Sequence, residues 1–164
     1  QAISIHGRTR KQMYKGVADW ALIGDVKNNQ NMHIPVFGNG DVDTPEKAKQ
    51  MKDNFGVDGI MIGRSSIGNP WIFNEIKNYL NTGSFLEKPS IQDRVGACKK
   101  HLQHSIEWKG EALGIVEMKR HYSNYFKNIP QFKEYRIKLT TSYDIEEIIA
   151  TLNIVADKFE DFNF

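Results

Sequence analysis

Residues 34–41, Ile-Pro-Val-Phe-Gly-Asn-Gly-Asp, and their echo at 59–64, Gly-Ile-Met-Ile-Gly-Arg, constrain the fold more than any other stretch. Each reads as a short buried strand ending in glycine at its carboxyl edge. Each is followed by a helix start, Thr44-Pro45-Glu46 after the first and Asn69-Pro70-Trp71 after the second. Glycine lets the main chain approach an anion with no Cβ in the way, so N–H groups at two neighbouring strand ends can converge on one phosphate. In (β/α)8 barrels the loops after the seventh and eighth strands commonly make such a site. The pair is read as gripping a phosphate group.

Around it the chain alternates. Ala2 to Gly7 is strand-like, a polar loop runs from Arg8 to Gly16, and a helix is expected at 18–28. Then come a strand at 34–38, a helix at 45–54, a strand at 58–62 and a helix at 70–80. Parallel strands joined by crossover helices need cover on both faces and neighbours at both edges. This part supplies helices for one face, so it reads as a piece of a barrel. The open edges and uncovered face predict self-association, as a homodimer or through misfolding.

After Leu80 the pattern changes. Asn81 to Ser84 is a turn, Glu87-Lys88-Pro89 a linker, and Ser90-Ile-Gln-Asp93 a helix-start box. Only helices are expected beyond it, at 91–109, 111–127, 131–140 and 144–160, the last with an apolar stripe through Ile145, Ile148, Leu152 and Val155. The fold class is therefore α/β plus all-α: residues 1–84 as the C-terminal part of a (β/α)8 barrel, and 85–164 as a small helical bundle.

Bulk composition excludes little. The 164 residues are 40% hydrophobic and 26% charged, as in globular proteins, and no apolar run approaches the roughly 18 residues of a membrane span. Cys98 stands alone, which fits a reducing, cytoplasmic setting. Between Arg94 and Lys138 ten Lys/Arg face four Asp/Glu, a segment that can meet nucleic acid or simply be a solvated helix face.

Among residues able to carry chemistry, His6 lies at a strand's carboxyl end and can donate to an electron-rich ring, or simply bond backbone. Arg8 and Arg10 follow it and can meet phosphate or a base edge. Asn39 and Gly40 can offer N–H groups to an anion, and Asp41 can orient the loop or a ribityl hydroxyl. Gly63 adds a second N–H source and Arg64 a permanent cation. Lys119, Arg120 and Lys127 are the candidates for RNA phosphates. Cys98, His101 and His104 drift around a helix, with the outer two roughly 120° apart, and no fourth ligand is evident, so no metal site is assigned. Taken alone these residues give a phosphate-binding barrel piece and a helical domain, without a reaction.

Read together, His6-Gly-Arg-Thr-Arg10, Lys15-Gly16-Val-Ala-Asp-Trp20, Pro35-Val-Phe-Gly-Asn-Gly-Asp41, Asp58-Gly-Ile-Met-Ile-Gly-Arg64 and Gly68-Asn-Pro-Trp-Ile-Phe73 closely resemble the tRNA-dihydrouridine synthases. The resemblance covers the whole chain in order. It implies an FMN barrel, here its last three β-α units, followed by a tRNA-binding helical domain. It implies that Asn39, Gly40, Asp41, Gly63 and Arg64 hold the FMN phosphate, that His6 contacts the flavin, and that Arg8 lies near flavin and substrate. It further implies NADPH as reductant, hydride transfer to C6 of a flipped-out uridine, and a cysteine that protonates C5.

By the same resemblance the catalytic cysteine loop, the flavin-contacting lysine and the first five strands belong before Gln1, and Cys98 cannot be that cysteine. The chain itself is then expected to be inactive. Two other readings stay open. One is a non-enzymatic RNA-binding module with a vestigial barrel piece; the other is an FMN enzyme acting on a free pyrimidine, against which the basic helices argue.

Overall fold

The computed structural model describes residues 1–162 and 164. They form a mixed α/β protein, mostly helical, with a small parallel sheet, and divide into two compact units: residues 1–66 with 70–86, and residues 67–69 with 87–164.

In the first unit the order is β1 (Ile3–His6), α1 (Ala21–Lys27), β2 (Val36–Asn39), α2 (Pro45–Phe55), β3 (Gly59–Met61), a 3-10 turn (Arg64–Ser66) and α3 (Ile72–Thr82). The strands lie parallel in the order β1-β2-β3. Thr44 starts α2, its hydroxyl accepting from the Lys47 N–H at 3.2 Å with Pro45 in the first turn. Gly56, at φ 65°, stops it in the left-handed conformation that glycine adopts without strain. Helix α1 begins at Ala21 rather than at residue 18. The Ala18 N–H is spent on the Asp41 carboxylate (2.8 Å) and the Asp19 N–H on the Gly7 carbonyl (2.6 Å), which holds both residues in the loop.

Register decides what each sheet face carries. Ile5, Gly38 and Ile60 align, and with Val36 they face the helices, where Trp20, Ile23, Ala48, Val57 and Ile72 complete the core. Gly38 is required there: a Cβ would lie 2.1 Å from the Trp20 ring. The opposite face carries Ser4, Phe37 and Gly59 in one row and His6, Asn39 and Met61 in the next. It is bare, with Phe37 37% and Met61 49% exposed. Asp58 precedes β3 and ties α1 to β2, accepting from Lys27 Nζ (2.7 Å) and from the Val36 N–H (2.8 Å).

The second unit holds α4 (Ile91–Lys109), α5 (Glu111–Met118), α6 (Tyr122–Tyr125), α7 (Lys133–Thr141) and α8 (Ile145–Lys158). Ser90 and Asp93 close a reciprocal capping box at the start of α4. The single helix expected over 111–127 is broken instead. The His121 N–H bonds the Met118 carbonyl three residues back (2.8 Å), and the Asn124 side chain takes the freed Arg120 carbonyl (3.1 Å). Helices α4 and α5 cross closely because residue 114 is glycine, where a Cβ would fall 2.7 Å from the Ile106 backbone. Leu102, Met118, Tyr122, Phe126, Leu139, Ile148 and Leu152 fill the core at 1% exposure or less. Among the described residues no helix is long and apolar enough to cross a membrane.

Candidate functional site

Because the strands run parallel and in register, β1, β2 and β3 end side by side at His6, Asn39 and Met61. The segments that leave them, residues 7–16, 40–43 and 62–66, therefore meet at one edge of the sheet. Gly40 turns at φ 137°, and a Cβ there would sit 2.6 Å from the Ala18 methyl. Asp41 follows at φ 55°, a conformation that costs a non-glycine residue about 1 kcal/mol.

The carboxylate of Asp41 offsets that cost. Oδ1 accepts from Arg8 Nη1 (2.7 Å) and Arg64 Nη2 (2.9 Å), while Oδ2 accepts from Arg8 Nη2 (2.6 Å) and the Ala18 N–H (2.8 Å). The Arg8 hydrogen bonds do most to hold the Asp41 pKa down at about 2; burial opposes them, and the Ala18 N–H and the charges of Arg8 and Arg64 assist. Asp41 is anionic at any ordinary pH.

Around this hub the backbone offers donors. Among the described residues the N–H groups of Gly40, Asp41, Gly63 and Arg64 donate to no carbonyl or side chain. Nothing lies within 4 Å of where a Cβ would stand on Gly63. The Arg64 side chain is 55% exposed, spends Nη2 on Asp41, and lies under the Tyr14 ring with 4.7 Å between guanidinium carbon and ring centre. Backbone donors without an acceptor at two adjacent strand ends, beside a cation, are the elements from which an anion cradle can be built.

His6 stands on the bare face, aligned with Asn39. Its Nδ1 accepts the Arg8 N–H at 3.0 Å, so the neutral ring carries its proton on Nε2. Asn39 points its amide at the Met61 sulfur (3.4 Å) and gives its carbonyl to the Gly7 N–H (2.9 Å).

The sequence assigns Arg8 to substrate or RNA, but the structure encloses it. The side chain is 4% exposed and donates to Asp41, to the Lys15 carbonyl (3.3 Å) and to the Gly16 carbonyl (2.6 Å). An arginine committed to that many protein acceptors holds a loop rather than reaching for a ligand. Arg10, two residues on, is exposed.

In the second unit the three basic candidates differ. Lys119 Nζ sits 3.2 Å above the Tyr143 ring centre and 3.5 Å from the Thr141 carbonyl. Arg120 pairs with Glu117 at 3.2 Å yet stays 68% exposed, and Lys127 is exposed. Cys98 is fully buried and its thiol is pushed up by desolvation, the environment of an unreactive structural cysteine. His101 shares a hydrogen bond with the Tyr125 hydroxyl (3.1 Å) and packs tilted against His121, ring centres 4.9 Å apart. Sequence reasoning missed Tyr14 and the Ala18 N–H. A ring in a polar loop and a backbone donor leave no periodic signal.

The dihydrouridine synthase family model (Dus) matches residues 1–160. The chain belongs to that family. It is similar to the tRNA-dihydrouridine synthase B of Pseudomonas putida, 38% identical over 146 residues that cover 89% of this chain and 43% of the relative. The protein of the same name from Pseudomonas aeruginosa is 36% identical over 93% of this chain and 45% of its own length. That from Xanthomonas campestris pv. campestris is 37% identical over 97% and 46%. This member of the family thus spans less than half the length of the curated relatives it matches.

Proposed function

We propose that the chain is the C-terminal portion of an FMN-dependent tRNA-dihydrouridine synthase, carrying the phosphate half of the flavin site and a helical tRNA-binding module. The observation that carries this reading is the cradle: uncommitted N–H groups at Gly40, Asp41, Gly63 and Arg64, beside a half-exposed guanidinium, in a chain of this family. The donor set fits a phosphate monoester, which offers several anionic oxygens and gains about 1.5–3 kcal/mol per charge-assisted bond. The three strands are read as the last of an eight-stranded barrel, with the bare face as part of its interior.

When bound, the flavin would supply the hydride, drawn from NADPH, that reduces the C5–C6 bond of a uridine. The residues of this chain bind and orient. Gly40, Asp41, Gly63 and Arg64 hold the phosphate, Asn39 lines the face beside it, and His6 presents its Nε2–H toward the same side. Arg10, Arg120 and Lys127 offer exposed cations for RNA phosphates, and Lys119 a fourth held against Tyr143. The proton for C5 does not come from Cys98, which is buried in the other unit. Turnover by these 164 residues alone is not expected.

An FMN titration followed by flavin fluorescence, with riboflavin as the phosphate-free control, tests the reading. At least tenfold tighter binding of FMN is expected, and Arg64→Ala removes most of that difference. Equal affinity for the two flavins, or none for either, would overturn the assignment for this chain. Salt-sensitive tRNA binding without flavin uptake would favour the RNA-module reading instead.

A further inference from the structure

Arg8 is the most enclosed cation of the first unit, and nothing in phosphate binding explains it. Its guanidinium makes a two-toothed pair with Asp41 and bonds the carbonyls of Lys15 and Gly16, where the polar loop closes. Its own N–H fixes His6. Asp41 in turn holds Arg64, and Tyr14, from the middle of the same loop, lies over Arg64. The chain of contacts therefore closes on itself: loop to Arg8, Arg8 to Asp41, Asp41 to Arg64, Arg64 to Tyr14 in the loop.

We propose that Arg8 and the Asp41 carboxylate are positioning groups that latch the 9–16 loop to the anion cradle, so that an anion bound at Arg64 orders the loop carrying Arg10 and Tyr14. The inference rests on the cradle reading only for the anion. The latch itself is internal to the chain. It divides Asp41 in two: the N–H faces the anion, while the carboxylate stays inside as the hub for two arginines. It also couples the groups facing RNA and flavin, because any free energy by which phosphate orders the loop must reappear as tighter phosphate binding when the loop is ordered. Charge alone does not suffice. Lysine cannot span two carboxylate oxygens and two carbonyls at once.

Hydrogen exchange of the full chain, read by mass spectrometry, tests this. In Arg8→Lys without ligand, amides of residues 9–17 are expected to exchange at least tenfold faster, while those of α4 and β2 hold their rates. Equal loop exchange in Arg8→Lys and the parent chain overturns the latch. Should β2 also lose protection, loop exchange is read relative to β2, and an excess acceleration of residues 9–17 below threefold overturns the latch. FMN, and not riboflavin, is expected to slow loop exchange at least threefold in the parent chain. That protection should fall away in Tyr14→Ala, a residue that is 70% exposed and outside the core of its unit. FMN that binds without slowing the loop overturns the coupling. If FMN fails to bind, the cradle reading and the coupling fall together, and Arg8→Lys alone decides the latch.

Discussion

The two units are nearly equal in length but solve the burial problem differently. Among the described residues, sixteen buried side chains form the core of the helical unit and nine that of the sheet unit. Helices α4 to α8 bury Leu102, Met118, Tyr122, Leu139, Ile148 and Leu152 at 1% exposure or less. The sheet covers one face, and leaves Ile3, Phe37 and Met61 in water on its edge and other face. Apolar burial is the main favourable term in folding. The helical unit therefore draws stability from packing, and the sheet unit leans on fixed polar ties at its strand ends.

The largest effect should come from breaking packing where it is complete. Leu102, 1% exposed and surrounded by helix faces, is expected to lose about 4 kcal/mol on Leu102→Ala, through transfer and cavity costs. Denaturant unfolding, read together with amide exchange in α4, measures it. A loss below 1 kcal/mol would mean that the helical core is loosely packed and that the contrast between units is wrong.

Next comes the hub of the sheet unit. Asp41→Ala strands Arg8, 4% exposed, without its counter-ion, and removing one partner of an enclosed pair costs about 3 kcal/mol. Exchange in β2 should rise while exchange in α8 holds. If both units loosen together, the polar ties do not belong to the sheet unit alone.

Acid sharpens the contrast. His101 and His121 have folded pKa values below the ordinary one, chiefly because both are half-buried; the charge of His104 adds to this for His101, and those of His101 and Arg120 for His121, while Glu117 opposes. The Tyr125 hydroxyl also faces His101. The unfolded chain takes up protons near pH 6.5 that the folded unit resists, so stability is full above that value and falls as pH drops below it. Asp41 behaves differently. Its contribution is full above pH 3.8 and disappears as pH falls toward about 2. Protection factors, taken against the intrinsic exchange rate at each pH, should therefore fall in α4 between pH 7 and pH 5 before they fall in β2. The reverse order would sink this assignment.

These ties also mark what could be read from sequence. The Thr44-Pro45 start of α2 and the Ser90-Asp93 box of α4 were legible because cap and helix lie within three residues of each other. The strand ends were legible because glycine punctuates them. The Arg8–Asp41 pair spans 33 residues and has no local pattern, so from sequence Arg8 reads as a loop arginine able to meet phosphate or a base edge. The break at residues 119–121 was equally hidden. It depends on which carbonyl the Asn124 amide takes, and the apolar spacing of Ile115, Met118 and Tyr122 suits a continuous helix just as well.

The smallest effect is predicted where the sheet is bare, and it bears on the expectation of self-association. Met61 is 49% exposed, and its sulfur accepts only weak bonds from Ser4 (3.3 Å) and Asn39 (3.4 Å). A side chain already half in water has little transfer free energy to lose. In a monomer, Met61→Ala should change stability by less than about 0.5 kcal/mol. If two chains cover each other's bare faces in solution, the same substitution removes buried area, costs more than about 1 kcal/mol, and does so in a concentration-dependent way. Unfolding the parent chain and Met61→Ala at two protein concentrations separates the cases, with light scattering giving the mass against 18.9 kDa for one chain. A neutral, concentration-independent result would place the bare face in water and remove self-association as its cover. A costly one would mean that the sheet unit, like the helical one, is stable only when its apolar face is enclosed.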